Sequence, residues 1–180
     1  MYFFRIYGIL LLLISMAGCG DNLFPSGEDR RPAIQAGSSG GSVSQKAPDF
    51  NVSDISGATV TLASSTSAKK GAVFYFTMWC PVCDSHMNNM RASIVPSFPD
   101  VNFYLVDYVS GSIAGTAGAA SANGYAGGVF TILADTDHTL LNNFQATMGT
   151  TVVIDSAGII RMNEDYRDGT NLNSTLTALP

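Results

Sequence analysis

The sequence predicts a three-layer α/β/α domain with a mixed central β-sheet. Three observations predict this fold class: an apolar run at residues 72–77, an alternation of strands and helical segments up to residue 146, and a closing hairpin followed by a helix. An apolar run without polar interruption is typical of a central strand covered on both faces. Alternating strands and helices favour a parallel sheet flanked by helices, and the hairpin adds antiparallel strands to it.

Composition narrows the possible functions. Of the 180 residues, 46% are hydrophobic and 13% are charged, and the formal net charge is −5. Length and apolar content fit one globular domain after an N-terminal segment is subtracted. The sequence has no basic stretch, so nucleic acid is not an expected partner. Three cysteines are too few for a framework of disulfides.

Residues 1–18 are predicted to be a lipoprotein signal peptide. Arg5 gives a short positive start, and Ile6–Ile14 is nearly continuous apolar sequence that is too short for a stop-transfer helix. Ser-Met-Ala-Gly before Cys19 resembles a bacterial lipobox, apart from a Met where Leu is usual. The resemblance implies that Cys19 is lipidated and becomes the N-terminus. An ordinary secretory signal with an incidental cysteine is the alternative.

A lipidated Cys19 places the protein in the bacterial cell envelope, on the periplasmic or extracytoplasmic face, because such an anchor binds stably to a membrane. By resemblance to the sorting rules of enteric bacteria, Gly20 favours the outer membrane, with the inner membrane left open. Residues 19–46 comprise the anchor cysteine and a tether predicted to be flexible, because they are rich in Gly and Ser and lack apolar periodicity. Residues 47–180 are predicted to form the folded domain.

Local patterns predict the elements of this domain. Apolar residues on both sides of Ser56-Gly57 predict a hairpin. Pro96 and Pro99 end the first main helix, residues 135–137 predict the N-cap of a later one, and the Gly in residues 155–158 suits a hairpin turn. The predicted order is hairpin 52–62, a helical turn within 63–70, strand 72–77, helix 80–94, strand 101–109, helix 111–124, strand 129–134, helix 135–146, hairpin 151–162 and helix 171–179.

The motif that carries chemistry is Cys80-Pro81-Val82-Cys83, directly after the predicted central strand. Strand, C-x-x-C and helix in succession are typical of a thioredoxin-type redox site. A cysteine at a helix N-terminus meets free N–H groups and the positive end of the helix dipole, and both favour the thiolate. Pro81 suits the first helical turn. The i, i+3 spacing places both sulfurs on one helical face, so Cys80 is predicted to be the nucleophile and Cys83 the resolving cysteine.

Other uses of a C-x-x-C motif fit less well. A zinc ribbon needs a second such pair or spaced histidines, and the chain offers only Cys19, His86 and His138 in addition. Asp84 follows the second cysteine and excludes a C-x-x-C-H haem attachment. A pair of buried structural cysteines remains an alternative. The redox-active disulfide is predicted to need no further cofactor, and no metal is predicted.

Four stretches carry a family resemblance: APDF-NVSDISGATVTL, AVFYFTMWCPVC, VNFYLVDYVS and TTVVIDSAGIIR. They are similar to the branch of the thioredoxin fold that contains TlpA/ResA-like thiol–disulfide oxidoreductases and AhpC/TSA-type peroxiredoxins. The resemblance covers about residues 47–180 and implies a thioredoxin-like fold. It also implies that the cysteine pair is lined by residues next to the motif and across the sheet, namely Thr77, Trp79, Pro81, Val82, Gly149 and Thr150.

Three departures from the family pattern concern the site. The usual proline before the hairpin strand is absent at Met148-Gly149-Thr150, although glycine there permits unusual backbone angles. Phe74 stands where many relatives have a buried acid or amide, so His86 or a water would have to replace it as proton acceptor for Cys83. The peroxiredoxin pattern is partial, because its arginine is absent near the glycine and Arg161 is the nearest candidate.

The predicted function is a membrane-anchored thiol–disulfide oxidoreductase. Its expected partners are protein thiols or disulfides of the cell envelope and a membrane electron donor or acceptor, with the direction of electron flow left open. The first alternative is a thiol peroxidase, in which Cys80 becomes a sulfenic acid, Cys83 resolves it and Thr77 binds the peroxide. A buried structural role for Thr77 is the plainer interpretation. A copper carrier of the Sco type, using the two cysteines and His86, is the weaker alternative.

Two further side chains are assigned to the site region. Trp79 is expected to be a half-exposed lid on the cysteine pair, with simple core packing as the alternative. Asp107 lies near the end of a predicted strand and could approach the site. Three tyrosines and two histidines are expected to have structural or surface roles: Tyr104, Tyr108, Tyr125, His86 and His138.

Overall fold

The computed structural model describes residues 34–180, so the predicted signal peptide and Cys19 lie outside the described residues. Its elements in chain order are β1 (Asn51–Asp54), β2 (Thr59–Thr61), α1 (Leu62–Thr66), β3 (Gly71–Thr77), α2 (Pro81–Asn89), β4 (Val101–Asp107), α3 (Ile113–Ala122), β5 (Thr131–Ala134), α4 (Thr139–Phe144), β6 (Thr150–Asp155), β7 (Ile160–Asp165) and α5 (Thr170–Thr177). Within the described range, we find no helix with the length and apolar character needed to cross a membrane.

The seven strands form one mixed sheet in the order β2-β1-β5-β4-β3-β6-β7. β4 pairs in parallel with both β3 and β5, whereas β6 pairs antiparallel with β3 and with β7. The β1–β2 hairpin is added antiparallel to β5. The predicted α/β class with a mixed sheet is therefore confirmed.

Helices cover both faces of the sheet. On one face, Met87 of α2 and Leu172 of α5 share a core with Tyr75 of β3. On the other face, Phe144 of α4 packs on Phe74 of β3, with ring centroids 6.3 Å apart. Every residue of β3 is buried, as predicted for a central strand. Because successive side chains of a strand point to opposite faces, β3 contributes to both cores.

The first main helix ends earlier than the predicted range of 80–94. Regular α-helix stops at Asn89, a π-helical turn follows at Met90–Ile94, and a 3-10 turn follows at Val95–Ser97. Pro96 has no N–H and cannot donate the next helical hydrogen bond, which accounts for the change of hydrogen bonding in front of it.

The start of α4 corrects the prediction of an N-cap at residues 135–137. The helix begins only after His138, which has a left-handed backbone with φ of 56°. The buried carboxylate of Asp135 nevertheless accepts the N–H groups of Leu140 at 3.1 Å and Leu141 at 2.8 Å. Asp135 therefore satisfies two free N–H groups of the first turn from outside the helix.

The last part of the predicted tether at residues 19–46 is bonded to the domain, which corrects the boundary. The N–H of Ser44 donates to the carbonyl of Ile160 at 2.9 Å, and the amide of Asn163 donates to the carbonyl of Gly41 at 2.7 Å. Both partners belong to β7, the edge strand. Small residues allow this close backbone approach, and the same small residues give the segment the composition of a linker.

The capping role of Asp135 can be tested by substitution. Asp135→Ala should lower the free energy of unfolding by about 1–2 kcal/mol, because two helix N–H groups lose their acceptor. Asp137→Ala is the matched control, since this side chain is exposed in the same loop, and its effect should stay within about 0.5 kcal/mol. Urea denaturation measures both. Equal stability of the two variants would contradict the cap.

Candidate active site

Cys80 and Cys83 lie at the start of α2, directly after the carboxyl end of β3. Cys80 is the N-cap residue, and its Sγ accepts the N–H of Cys83 at 3.1 Å. Pro81 is the first helical residue, and Val82 is exposed. Both cysteines are free thiols in this structure. Cys83 is completely buried while Cys80 is partly exposed, so only the first sulfur can meet a large partner.

The two thiols titrate as a coupled pair. Burial raises the pKa of Cys80, and its hydrogen bond to Cys83 raises it further. Burial also opposes ionisation of Cys83, but hydrogen bonds from Cys80, from the backbone at Met78 and from Thr77 outweigh burial and lower its pKa. A negative charge on the pair thus has two stabilised positions, because a Cys80 thiolate accepts the Cys83 N–H at 3.1 Å and a Cys83 thiolate accepts the hydrogen bond from Cys80. The helix N-terminus and the hydrogen bond between the two side chains thus both influence where the thiolate lies, and Cys80 as the nucleophile stays a prediction.

Trp79 is held in a turn between β3 and α2. Its backbone is left-handed, with φ of 59°. Its amide N–H donates to Thr77 Oγ1 at 3.0 Å, and its indole Nε1–H donates to Asp107 Oδ2 at 2.9 Å. A positive φ at a residue other than glycine costs on the order of 1 kcal/mol or more, and these two bonds offset that cost. Trp79 is partly exposed and precedes the reachable sulfur.

Asp107 supports this turn from the neighbouring strand. It ends β4, is 2% exposed, and accepts the N–H groups of Val109 at 2.9 Å and Ser110 at 3.0 Å. Burial alone would raise the pKa of Asp107, but the hydrogen bonds from Ser110, Trp79 and Val109 outweigh it and lower the pKa. The Asp107 carboxylate is thus charged, and both of its oxygens accept hydrogen bonds. Its contact with the site is the hydrogen bond from the indole of Trp79.

A buried tyrosine beneath the cysteine pair was not indicated by the motif. Tyr75 of β3 is 0% exposed, and its hydroxyl lies 3.0 Å from Nδ1 of His86. Burial, together with the adjacent Cys83 and Cys80 sulfurs, raises the pKa of Tyr75. Burial lowers the pKa of His86, whose ring packs on Tyr166 with centroids 4.8 Å apart.

The alternation of β3 explains why Tyr75 is at the site and Phe74 is not. Tyr75 belongs to the core that contains Cys83, whereas Phe74 belongs to the core on the opposite face. The position where relatives have a buried acid or amide, Phe74 in this chain, thus lies on the face of β3 away from Cys83. The signal that could have found Tyr75 is the period of two along a strand, counted once Cys83 is assigned to the inner face.

The loop before β6 lies at the same end of β3 as the cysteines. Gly149 has φ of 88°, and its N–H donates to the carbonyl of Phe76 at 2.9 Å. Its carbonyl accepts the N–H of Tyr166 at 2.8 Å. The hydroxyl of Thr150 is used within this region, since it accepts the N–H of Thr147 at 2.9 Å. Gly149 thus links the end of β3 to the segment that packs on His86.

Arg161 is remote from the cysteines. It binds the carboxylate of Asp155 at 2.6 Å, and Asp155 pairs with Gly71 at the beginning of β3. The cysteines follow the other end of this seven-residue strand, a separation of about 20 Å at 3.3 Å per residue. This matches the expectation that the arginine sits on the wrong side of the hairpin.

His138 is exposed, and its Nε2 lies 2.9 Å from the carbonyl oxygen of Tyr108. It immediately precedes α4, which fits the expected surface role.

Among residues 34–180, no three His, Cys, Asp or Glu side chains come together as a metal site would require.

Comparisons with known proteins place this geometry in a family. The sequence profile of the AhpC/TSA family matches residues 43–163. Among proteins with curated functions, no significant match was found. One similar solved structure is that of Mycobacterium tuberculosis DsbF in mixed oxidized and reduced forms, which is 25% identical with a TM-score of 0.58 and covers 73% of this chain and 95% of its own.

Two further solved structures from Mycobacterium tuberculosis share the fold. A secreted disulfide oxidoreductase homologous to Escherichia coli DsbE is 21% identical, with a TM-score of 0.56 and coverage of 72% of this chain and 96% of its own. The peroxidoxin BcpB is 18% identical, with a TM-score of 0.61 and coverage of 76% and 96%. The family profile spans more than half of the sequence. The chain therefore has the thioredoxin-like fold and belongs to the AhpC/TSA family of thiol-based redox proteins.

Proposed function

We propose that the protein is a thiol–disulfide oxidoreductase of the bacterial cell envelope that works through Cys80 and Cys83. The observation that carries this proposal is the pairing of one reachable and one buried thiol at the start of α2, coupled by hydrogen bonds. One exposed and one protected sulfur are what a two-step exchange requires, because the first must meet the substrate and the second must act only after it.

In the first step, the Cys80 thiolate attacks one sulfur of a substrate disulfide. The substrate S–S bond breaks, a mixed disulfide with Cys80 forms, and the other substrate sulfur leaves as a thiolate that takes up a proton. The singly ionised pair supplies the nucleophile by moving its shared proton to Cys83. Charge on Cys80 is then stabilised by the Cys83 N–H at 3.1 Å and by the helix N-terminus.

In the second step, Cys83 attacks the Cys80 sulfur of the mixed disulfide. The Cys80–Cys83 bond forms, the second substrate sulfur leaves, and two electrons have passed from the pair to the substrate. The reverse sequence would oxidise a substrate dithiol. In the reducing direction a membrane dithiol protein would have to restore the pair, and in the oxidising direction an electron acceptor would do so.

Proteins with accessible disulfides or thiols are the proposed substrates. Three apolar side chains near the reactive sulfur are exposed: Met78 by 45%, Val82 by 52% and Met148 by 37%. Met78 and Val82 lie within two residues of Cys80, and Met148 precedes the glycine that bonds to the end of β3. Exposed apolar side chains beside a reactive group suit an extended, partly folded segment of an exported protein.

Membrane attachment through a lipidated Cys19 is part of the proposal. Its support is the apolar segment that ends in small residues before this cysteine. Attachment would hold the domain near envelope proteins and near a membrane electron donor or acceptor.

The contacts around Thr77 and His86 favour exchange over the two alternatives. Thr77 is 0% exposed, and its Oγ1 accepts the N–H of Trp79, which fits the plainer structural interpretation better than peroxide binding. Nδ1 of His86 faces the hydroxyl of Tyr75, so this nitrogen is already engaged. Peroxide reduction and copper binding are therefore outcomes to be tested and not the preferred functions.

Trapping and titration of the cysteine pair test the proposed function. Cys83→Ser should accumulate a mixed disulfide at Cys80 with an added disulfide substrate, and Cys80→Ser should accumulate none, because only the first sulfur is reachable. Mass spectrometry distinguishes the two variants. A redox series on the wild type should give an internal disulfide, with a potential near about −270 mV indicating a reductase and near about −120 mV an oxidant.

Failure to form the internal disulfide at any redox poise would contradict the proposed function. In that case, thiol-dependent consumption of hydrogen peroxide would favour the peroxidase. Stoichiometric binding of copper that is lost in both cysteine variants would favour the carrier instead.

The Asp107 carboxylate that holds Trp79 should make stability depend on pH. Its pKa is lowered in the folded protein, so its contribution is present above the unfolded value of about 3.9 and is lost as pH falls through the folded value. Asp107→Asn should reduce the free energy of unfolding by about 1.5–3 kcal/mol at pH 7. The difference from wild type should shrink steadily once the pH falls below about 4.

Urea denaturation at several pH values measures this difference, and indole fluorescence reports the position of Trp79. Asp100→Asn is the control, because Asp100 is exposed and lies just before the opposite end of β4. A gap between wild type and Asp107→Asn that stays constant down to pH 2 would contradict a role for the charge.

A further inference from the structure

The second step of the proposed exchange requires a fully buried thiol to lose its proton. Cys83 is 0% exposed, and in the free pair the hydrogen bond from Cys80 is the largest influence that offsets its burial. Once Cys80 is bonded to a substrate sulfur, it has no proton to donate. Burial then opposes ionisation at the moment when Cys83 must become a nucleophile. Some other group has to accept the proton of Cys83.

Tyr75 and His86 connect this buried sulfur to the surface. Tyr75 and Cys83 belong to the same buried cluster of side chains, and the Tyr75 hydroxyl lies 3.0 Å from Nδ1 of His86, which follows Cys83 by three residues on α2. Exposure increases along this path, because Cys83 and Tyr75 are both 0% exposed whereas His86 is partly exposed. The path begins at the reacting sulfur and ends at a group that can exchange protons with water.

We propose that Tyr75 and His86 relay the proton of Cys83 to solvent while the mixed disulfide is resolved. This inference rests on the proposed exchange reaction. Cys83 gives its proton to the Tyr75 oxygen as Tyr75 gives its own to Nδ1 of His86, so Tyr75 ends unchanged and His86 becomes a cation. The Cys83 thiolate then attacks Cys80, the internal disulfide forms, and the bond from Cys80 to the substrate breaks. The leaving thiolate takes up a proton from water, and His86 releases one to water.

The properties of the two side chains suit these roles. Burial raises the pKa of Tyr75, so its hydroxyl stays protonated and carries a proton without becoming an anion. Burial lowers the pKa of His86, which leaves the ring neutral and able to accept at neutral pH. The relay assigns the accepting lone pair to Nδ1 and the remaining N–H to Nε2.

The surroundings of His86 hold its ring in position and add little charge. Tyr75 faces the ring from β3, and Tyr166 faces it from the segment after β7. The Tyr166 hydroxyl donates to Asn89 on the helix that carries His86, and the charge of Asp168 acts on Tyr166. On the same helix, Asp84 precedes His86 by two residues and Cys83 precedes it by three, and the Asp84 carboxylate accepts hydrogen bonds from Asn88 and Tyr125. The ring is therefore packed between two tyrosines and open to water on one side.

A two-phase reaction with dithiobis(nitrobenzoic acid) separates the two steps. The attack of Cys80 releases the first coloured thiolate, and the attack of Cys83 on the resulting mixed disulfide releases the second. Stopped-flow absorbance gives both rates as functions of pH. Tyr75→Phe removes the hydroxyl and retains the ring, while His86→Asn retains an acceptor near Nδ1 but cannot take up a proton.

Both variants should slow the second release by about 100-fold near neutral pH, which is the lower end of what a positioned general base contributes. The difference in second-release rate between each variant and the wild type should become smaller as the pH rises, because the Cys83 thiol then ionises without a relay. The midpoint of the pH–rate profile of each variant should therefore shift to higher pH. The first release should keep its wild-type rate. Tyr104→Phe is the matched control, since Tyr104 is a buried tyrosine in the opposite core, and both of its phases should match the wild type.

Two results would overturn the relay. The first is a second release that has the wild-type rate and pH profile in both variants. The second is a slowing that is the same at every pH, which would indicate altered packing only. His86→Asn changes a partly exposed side chain and keeps the test decisive even if Tyr75→Phe does not fold. A wild-type protein that shows no second release would contradict the proposed exchange itself, and the two failures are thus distinguishable.

Discussion

The complete burial of β3 is the constraint on which the rest of the structure depends. The strand lies between β4 and β6, with helices over both faces, so every side chain it carries must fit one of two cores. The burial on both sides fixes which side chains of β3 point to which face of the sheet: Tyr75 faces α2 and Phe74 faces α4. A shift by one residue would exchange the two cores, and it is opposed because each core is closely packed and because the Tyr75 hydroxyl would lose its partner His86. The position where the strand ends, and where α2 can begin, is fixed by the same packing.

The parallel pairing of β3 and β4 transmits this constraint to the cysteines. The register sets Thr77 opposite Asp107 at the carboxyl ends of the two strands. These two side chains accept the amide and the indole N–H of Trp79 and hold the residue before Cys80 in a left-handed turn. The first reactive sulfur is thus positioned by groups from two strands. Rigid strands that support a short turn are a common way to place reactive groups with accuracy.

Much of the fold was predictable because its strongest signals are local. The apolar run of β3, the proline after Cys80 and the glycine in the β6–β7 turn each report on their immediate neighbours. What the sequence missed involves partners that are distant along the chain. The segment ending at residue 46 bonds to a strand more than one hundred residues later. The composition of such a segment predicts a linker, because composition contains no information about the strand to which the segment is hydrogen-bonded.

In the candidate site, too, the local features were predictable from the sequence and the contacts between distant residues were not. This difference bears on the direction of electron flow. The order of the two cysteines follows from spacing, but the balance that sets their potential depends on burial and on hydrogen bonds from the partner cysteine, from Thr77 and from the backbone. Hydrogen bonds that stabilise a thiolate stabilise the reduced pair and make the disulfide more oxidising, whereas burial of Cys83 acts in the opposite sense. The lowered pKa of Cys83 indicates that the hydrogen bonds exceed the cost of burial. The hydrogen bond between the two side chains raises the pKa of Cys80 as it lowers that of Cys83. The groups that stabilise the Cys83 thiolate from outside the pair are therefore Thr77 at the end of β3 and the backbone at Met78.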